Sequence, residues 1–503
     1  MTEQLDLFAA AADEPGRPEA PDQLERDRVA NDLDTTLFVE AGAGSGKTTA
    51  LVARVVALVR SGVPIGSIAA ITFTEKAAAE LRHRIRAELA DQPDALADLD
   101  LAPIGTLHAF ARRLLSEFPV EAELPPRFAV LDEVQSATAF HERFTDFLEE
   151  LLDDPNSVRL VDLCQHDGFG IERGARRMAD DFQANWDLVE ARVSPELPPG
   201  ADDDHHRRAM QHACAAAGAF SAPPDDTQPE VVADLQAMAA ELSGPIPLGE
   251  LLQLLPRIDK LSLRGGNKDR WKKHHGDDRV LDHYREALAA CKATAVAARR
   301  AFDEERRLTL GALLHRFTMS SVELRRLDGA LEFHDLLVLA RRLVATHAEV
   351  RARLHDRYTR VLLDEFQDTD PIQLELAVRI TAPPDQQPDD WRALRPVPGR
   401  LTVVGDPKQS IYRFRRADIA QFLRARDQLG ADKASLQANF RSAEPVIRWI
   451  NHTMAALIVE QDGVQPAYEP LLPARSGAHD HGTVTVLGAE PHGDAPNAET
   501  LRE

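Results

Sequence analysis

From Thr36 to Thr106 short apolar runs of β type, TTLFVEA, SIAAITF and APIGTL, alternate with stretches of helical period, TTALVARVVALVR and AAAELRHRIRAELA. That alternation predicts a parallel sheet with helical crossovers. From about 128 to 325 the strand signals disappear, and Leu, Ala, Arg and Glu recur at helical spacing between breaks such as PELPPGADDDHH and SAPPDDTQPE. A helical insertion is expected there. Strands return at RVLLDE (360–365) and LTVVGD (401–406), divided by the polar loop PPDQQPDDWRALRPVPG, so the sheet resumes after the insertion. The segment SLQANFRSAEPVIRWIN opens a further unit, and GTVTVLG at 482–488 reads as one more strand. Residues 1–20, rich in Ala, Pro, Asp and Glu without apolar period, are expected to form a mobile tail.

The chain has 503 residues, with 59 Lys and Arg against 82 Asp and Glu and a formal charge of −23. Such a balance argues against wholesale binding of polyanions, so any nucleic-acid contact needs local basic surfaces. Three cysteines, Cys164, Cys214 and Cys291, are too few and too scattered for a disulfide scaffold and fit a reducing compartment. The amino terminus, MTEQLDLF, is acidic where a signal peptide would be basic, and charges interrupt each apolar stretch before about 18 residues. A cytoplasmic location without membrane attachment is the expectation.

Candidate chemistry starts at the end of the first strand. Ala41-Gly42-Ala43-Gly44-Ser45-Gly46-Lys47-Thr48 has the form of a Walker A loop with alanine for the first glycine, and Thr49 follows in the next helix. Small residues let successive backbone N–H groups curl around phosphates, where the amino end of the helix adds its positive dipole. Lys47 would then reach the β- and γ-phosphates of ATP, and Thr48 would hold Mg²⁺. The rival reading is a glycine-rich turn before an ordinary helix. The second half of the site is Val361-Leu362-Leu363-Asp364-Glu365, an apolar strand ending in two acids. Adjacent strand residues point to opposite faces, so the two acids would divide the work, Asp364 toward the metal and Glu365 toward the attacking water as general base. Taken alone, such a pair is as readily a solvated turn or a helix cap.

Further motifs follow in fixed order: ITFTEKAAAELR (71–82), GTLHAFARRLL (105–115), DEFQDTDPIQ (364–373), GDPKQSIYRFRRAD (405–418) and QANFRS (437–442). With the phosphate loop they make six motifs, and over about residues 23–455 the chain resembles superfamily-one DNA helicases of the UvrD/RecB/AddA type. The wording VGDPKQSIYRFR and the roughly 250 residues between Thr106 and Asp364 resemble the RecB/AddA branch more than UvrD.

The resemblance implies an α/β, P-loop RecA-like parallel-sheet motor domain with a large helical insertion and the beginning of a second RecA-like domain. Its divisions would be a tail at 1–20, the motor domain at 21–125 and 326–425, the insertion at 126–325 and the truncated second motor domain at 426–503. It also implies ATP-dependent movement, 3′ to 5′, on single-stranded DNA in repair or recombination. Gln409 would sense the γ-phosphate, Arg441 would serve as an arginine finger and Phe440 would stack on adenine. Phe73, Thr74, Thr106, His108, Tyr412, Phe414 and Arg415 match the family's DNA-contact positions, where stacking on aromatic rings tolerates any sequence. Arg416 replaces the family's usual glycine. Register from Lys47 puts Arg26 where the family reads adenine with glutamine; Gln23, one turn earlier, is the candidate for that role.

The family's later motifs, including a second arginine finger, are not found, so weak hydrolysis and weak or absent unwinding are expected of these 503 residues. An alternative is an ATP- and DNA-binding regulatory subunit with little motor action. A repair ATPase of the ABC type would need an LSGGQ-like segment, which is missing. A nuclease or second helicase subunit is an implied partner. Residues 256–275 hold seven Lys or Arg against two Asp, with Trp271 among them, and are a candidate duplex contact or a solvated helix face. Gln4-Leu5-Asp6-Leu7-Phe8 resembles the pentapeptide that binds bacterial sliding clamps. The pairs His205–His206 and His274–His275 read as solvated residues rather than metal ligands.

Overall fold

A computed structural model describes residues 19–165, 170–386, 388, 390–411, 419–461, 464–475 and 483–484. Ten strands occur among them: β1 (Leu37–Ala41), β2 (Ile68–Thr72), β3 (Ile104–Thr106), β4 (Ala129–Val130), β5 (Ala330–Leu331), β6 (Arg360–Leu363), β7 (Leu401–Gly405), β8 (Asp432–Leu436), β9 (Ala438–Asn439) and β10 (Leu472–Pro473). Two compact units contain them, one made of residues 1–127 with 335–503, the other of Phe128–His334.

The first unit is built on a six-stranded sheet in the order β3-β2-β6-β7-β1-β8. All five pairings are parallel. β2 and β7 are buried at all positions, which is why they read as continuous apolar runs: both faces lie under helices. The helix Lys47–Arg60 supplies Leu51, Val55 and Leu58, and the helix Glu75–Glu88 supplies Leu81 and Ile85, to one core with Val39, Leu362 and Val404. On Phe38 in β1, the rings of Phe366 and Phe422 close at 6.0 and 4.9 Å. Since the strands are parallel, their carboxyl ends share one edge, where loops can gather ligand-binding groups.

β8 corrects one expectation. Residues from 426 were expected to open a second motor domain, yet Asp432–Leu436 pairs with β1 over five residues and forms the edge of the same sheet. Its polar composition, DKASL, suits an edge strand and hid it from the hydrophobic pattern. Beyond it, among the described residues, the two-residue pair β9–β10 stands apart from the six-stranded sheet. The strand expected at 482–488 lies outside the described residues except for 483–484, which are not in a strand.

The second unit is helical. Its axis is the 49-residue helix Val280–Asp328, about 73 Å long at 1.5 Å per residue, which ends at Gly329 in the left-handed conformation (φ 63°). Leu281, Tyr284, Leu288, Cys291, Ala295, Ala298 and Phe302 recur at three- and four-residue spacing on it and pack with Met210, Leu235, Leu255 and Trp271. Cys214 and Cys291 are buried free thiols there, their sulfurs 3.2 Å apart. Arg159 binds Glu305 (2.5 Å) and Asp203 (2.8 Å) and so joins three helices. The insertion was expected to end at 325, but the unit runs to His334 because β5 pairs with β4. Ala129 N donates to Gly329 O (2.7 Å) and Leu131 N to Leu331 O (2.8 Å), fastening the outgoing chain to the incoming one. Among the described residues no helix is long and apolar enough to cross a membrane.

Candidate functional site

Between β1 and the helix Lys47–Arg60, Gly44 (φ 68°) and Gly46 (φ 81°) take left-handed conformations that side chains disfavour. Gly46 caps the helix without a side-chain hydrogen bond, so its first N–H groups carry no side-chain cap. Ser45 is fully buried and its hydroxyl has no hydrogen-bond partner among the described residues. Uncapped donors, an orphaned hydroxyl and glycine-only curvature fit a phosphate chain. Thr48 is half-buried in the first turn of the helix, whereas Thr49 is exposed and receives Arg84 at 3.4 Å.

Opposite the loop, at the end of β6, stand the two acids. Lys47 Nζ reaches Glu365 Oε2 at 2.8 Å across 318 residues of sequence. The acids are separated in a way that strand alternation does not foresee. β6 ends at Leu363, and Glu365 sits in the left-handed region (φ 50°), so a turn rather than a pleat sets its direction. Asp364 is buried, and its Oδ1 accepts the backbone N–H of Glu365, at 2.9 Å. Burial, reinforced by the charge of Glu365, pushes the Asp364 carboxyl up to about 6. A carboxylate so short of positive charge fits a divalent cation shared with Thr48. Glu365 goes the other way: burial raises it, but the Lys47 charge and the hydrogen bonds from Gln367 and Lys47 outweigh that and hold it below the usual glutamate range. Among the described residues no group of three or more His, Cys, Asp or Glu could hold a metal, so any Mg²⁺ here would lean on substrate phosphates.

The loop after β7 completes this side. Gln409 Nε2 donates to Asp406 Oδ2 at 2.6 Å and is turned toward that carboxylate. The segment after β8 closes over the phosphate loop: Asn439 Nδ2 donates to Ala43 O (2.6 Å), and Phe440 N donates to Gly44 O (3.0 Å). A Cβ on Gly44 would stand 2.9 Å from Arg441 Cβ, so the exposed Arg441 begins beside the loop. On the half-buried Phe440 ring lies the guanidinium of Arg26, 4.8 Å from the centroid. Gln23 instead donates to Asp27 at 2.8 Å, while Arg26 Nη1 lies 3.6 Å from where a Cβ on Gly46 would stand.

The candidate DNA contacts at Phe73, Thr74, Thr106 and His108 follow the ends of β2 and β3, on the same carboxyl edge. Thr74 and Thr106 also cap the helices after them, accepting from Ala77 N (3.1 Å) and Ala109 N (3.2 Å), and Thr106 donates to Glu75 (2.8 Å). Phe73 and His108 are half-buried. Tyr412, Phe414, Arg415 and Arg416, and the pentapeptide Gln4–Phe8, lie outside the described residues. In the helical unit Lys272 and Lys273 are exposed, but Trp271 is buried against Tyr284 and cannot stack on a base. His274 and His275 are exposed.

Four residues to which sequence reasoning gave no role join the site: Arg26, Gln367, Asp406 and Asn439. Asn439 carried a signal, standing in QANFRS, and its Oδ1 accepts from Arg441 N (3.0 Å) and Ser442 N (2.8 Å) to shape that turn.

A parallel six-stranded sheet broken by a helical insertion, with a glycine-rich loop after β1, defines a RecA-like α/β protein. Residues 22–430 match the UvrD/REP helicase N-terminal domain, and the chain belongs to that family. It is similar to an ATP-dependent helicase/nuclease subunit from Levilactobacillus brevis, 28% identical over 85% of this chain and 38% of that protein. The proteins of the same name from Ligilactobacillus salivarius and Desulforudis audaxviator are 24% and 28% identical, over 92% and 83% of this chain and 41% and 38% of theirs. The chain thus spans about 40% of the length of these relatives.

Proposed function

We propose that the chain binds and hydrolyses ATP and couples hydrolysis to 3′ to 5′ movement on single-stranded DNA, in repair or recombination. The observation that carries this reading is the meeting of Lys47 and Glu365, 2.8 Å apart, at the carboxyl edge of the sheet. In the proposed cycle the N–H groups of Gly44–Lys47 cradle the phosphates, and Lys47 leaves Glu365 for the β- and γ-phosphate oxygens. Thr48 and Asp364 would hold Mg²⁺, which when bound neutralises charge on the phosphates. Glu365, freed from Lys47, accepts a proton from the attacking water. Arg441 meets the charge that develops on the transferring phosphoryl group, and Gln409 reports its presence. Phe440 and Arg26 face the base. Phe73, Thr74, Thr106 and His108, with Tyr412, Phe414 and Arg415, form the DNA track, and a nuclease-bearing or helicase subunit is the partner class that the relatives' name supports.

The test is phosphate release by the purified chain, with and without single-stranded DNA, beside Lys47→Ala. DNA-stimulated hydrolysis lost in the variant supports the reading. Nucleotide binding and hydrolysis indifferent to Lys47 overturn it.

A further inference from the structure

Gln367 is 3% exposed, and both ends of its amide are engaged. Nε2 donates to Glu365 Oε2 at 2.7 Å, with a longer contact to Asp368 Oδ2 at 3.4 Å, while Oε1 accepts the backbone N–H of Asp406 at 2.9 Å. The Gln367 carbonyl accepts from the Ser410 hydroxyl at 3.0 Å. This side chain therefore bridges the turn after β6 and the loop after β7. Gly405 makes the approach possible, because a Cβ there would stand 2.8 Å from Gln367 Oε1. On the far side, the Asp406 carboxylate receives Gln409 Nε2 at 2.6 Å.

We propose that Gln367 is a positioning residue that fixes the Glu365 carboxylate and ties its placement to the Asp406–Gln409 loop. Three features of the geometry support it. Glu365 occupies a left-handed backbone conformation (φ 50°) that is unfavourable for a non-glycine residue and persists only where neighbours over-determine it. Its Oε2 is shared by Lys47 and Gln367, so once Lys47 turns to phosphate the amide is the remaining side-chain donor to that oxygen among the described residues. An amide also suits the position as few side chains do: it must donate on one side and accept on the other, which leucine cannot do at all and glutamate can do only toward Asp406. Movement of Gln409 toward or away from Asp406 would reach Glu365 along a chain of three hydrogen bonds that passes through Asp406 and the Gln367 amide.

The inference rests on the ATPase reading above, and its test separates the two. With the full 503-residue chain, Gln367→Leu is expected to lower kcat on the order of ten- to a hundredfold, the loss typical of a misplaced group, with KM for ATP unchanged. Gln367→Glu, which keeps the acceptor for Asp406 N, should fall as far. In a Glu365→Gln background, Gln367→Leu should cause no further loss, because the two act as one unit. Additive losses in that cycle, or a Gln367→Glu enzyme with wild-type kcat, would overturn the proposal in favour of simple support of the β7 loop. Crystal structures of Lys47→Ala and of Lys47→Ala combined with Gln367→Leu judge it without turnover: with the lysine gone, loss of the amide should move the Glu365 carboxylate, and an unmoved carboxylate overturns the proposal. Absence of nucleotide binding in wild type would instead defeat the ATPase reading and leave the crystallographic comparison to decide the placement of Glu365.

Discussion

In the helical unit Arg159 is met by Glu305 and Asp203 within 2.8 Å, and many other charges there pair with a neighbour three or four residues away, as in Arg307–Glu304 and Arg326–Glu323. At the carboxyl edge of the sheet the opposite holds. Asp364 is buried against a second acid, Glu365 is held in a left-handed turn, and Ser45 keeps a buried hydroxyl with no partner among the described residues. Those ion pairs of the helical unit match opposite charges, whereas the sheet edge buries two acids side by side. That difference teaches where to look for chemistry: a fold tolerates buried like charge and backbone strain where a ligand and its counter-ion relieve them. The helical unit reads as scaffold by the same criterion.

The contrast can be broken from the site side first. Lys47→Ala is expected to lower DNA-stimulated phosphate release on the order of 10²- to 10³-fold, since it removes a charge aimed at the transferring group, with little change in urea-induced unfolding. Next in size is Leu288→Ala, in the fully buried stripe of the long helix. It should cost about 2–5 kcal/mol in urea unfolding while affinity for a fluorescent ATP analogue stays within about twofold. A large loss of nucleotide affinity there would erase the division of labour. Arg159→Ala leaves Glu305 buried without its guanidinium partner; about 2–3 kcal/mol is expected, below the cost of a wholly buried pair because Arg159 is about one-third exposed.

The last effect has the opposite sign. Asp364 has its carboxyl pushed up to about 6 from an unfolded value of 3.8, so the native state binds more protons than the unfolded one between those limits. This group's share of stability is present below pH 3.8 and is lost as pH rises through about 6. Asp364→Asn, with chelator and no nucleotide, should therefore be up to about 3 kcal/mol more stable than wild type above about pH 6 and level with it below pH 3.8, while losing ATP hydrolysis. Thermal melts of both proteins across that range decide it. A variant less stable than wild type at about pH 8 would mean that the acid is not strained.

What could be read in the linear order follows from which forces are local. β1, β2, β6 and β7 were legible because strands covered on both faces are continuous apolar runs, and the phosphate loop because its glycines answer a backbone need that few other sequences have. β8 was not, since an edge strand can be polar and DKASL carries no hydrophobic signature. The direction of Glu365 was misjudged because alternation was extended two residues past the end of β6. Gln367 and Arg26 owe their roles to residues far away in the chain, as with Gln367 and Asp406, and no local pattern announces a contact of that kind.

The two-residue pairing of β4 with β5 has a consequence for how such proteins diversify. It pins together the two ends of a segment about two hundred residues long. For a flexible segment with fixed ends, each doubling of length costs only about 0.6 kcal/mol of closure entropy. A lineage can therefore lengthen, trim or exchange the helical cassette at little thermodynamic cost to the six-stranded sheet, and variation in size between relatives should concentrate inside that clasp.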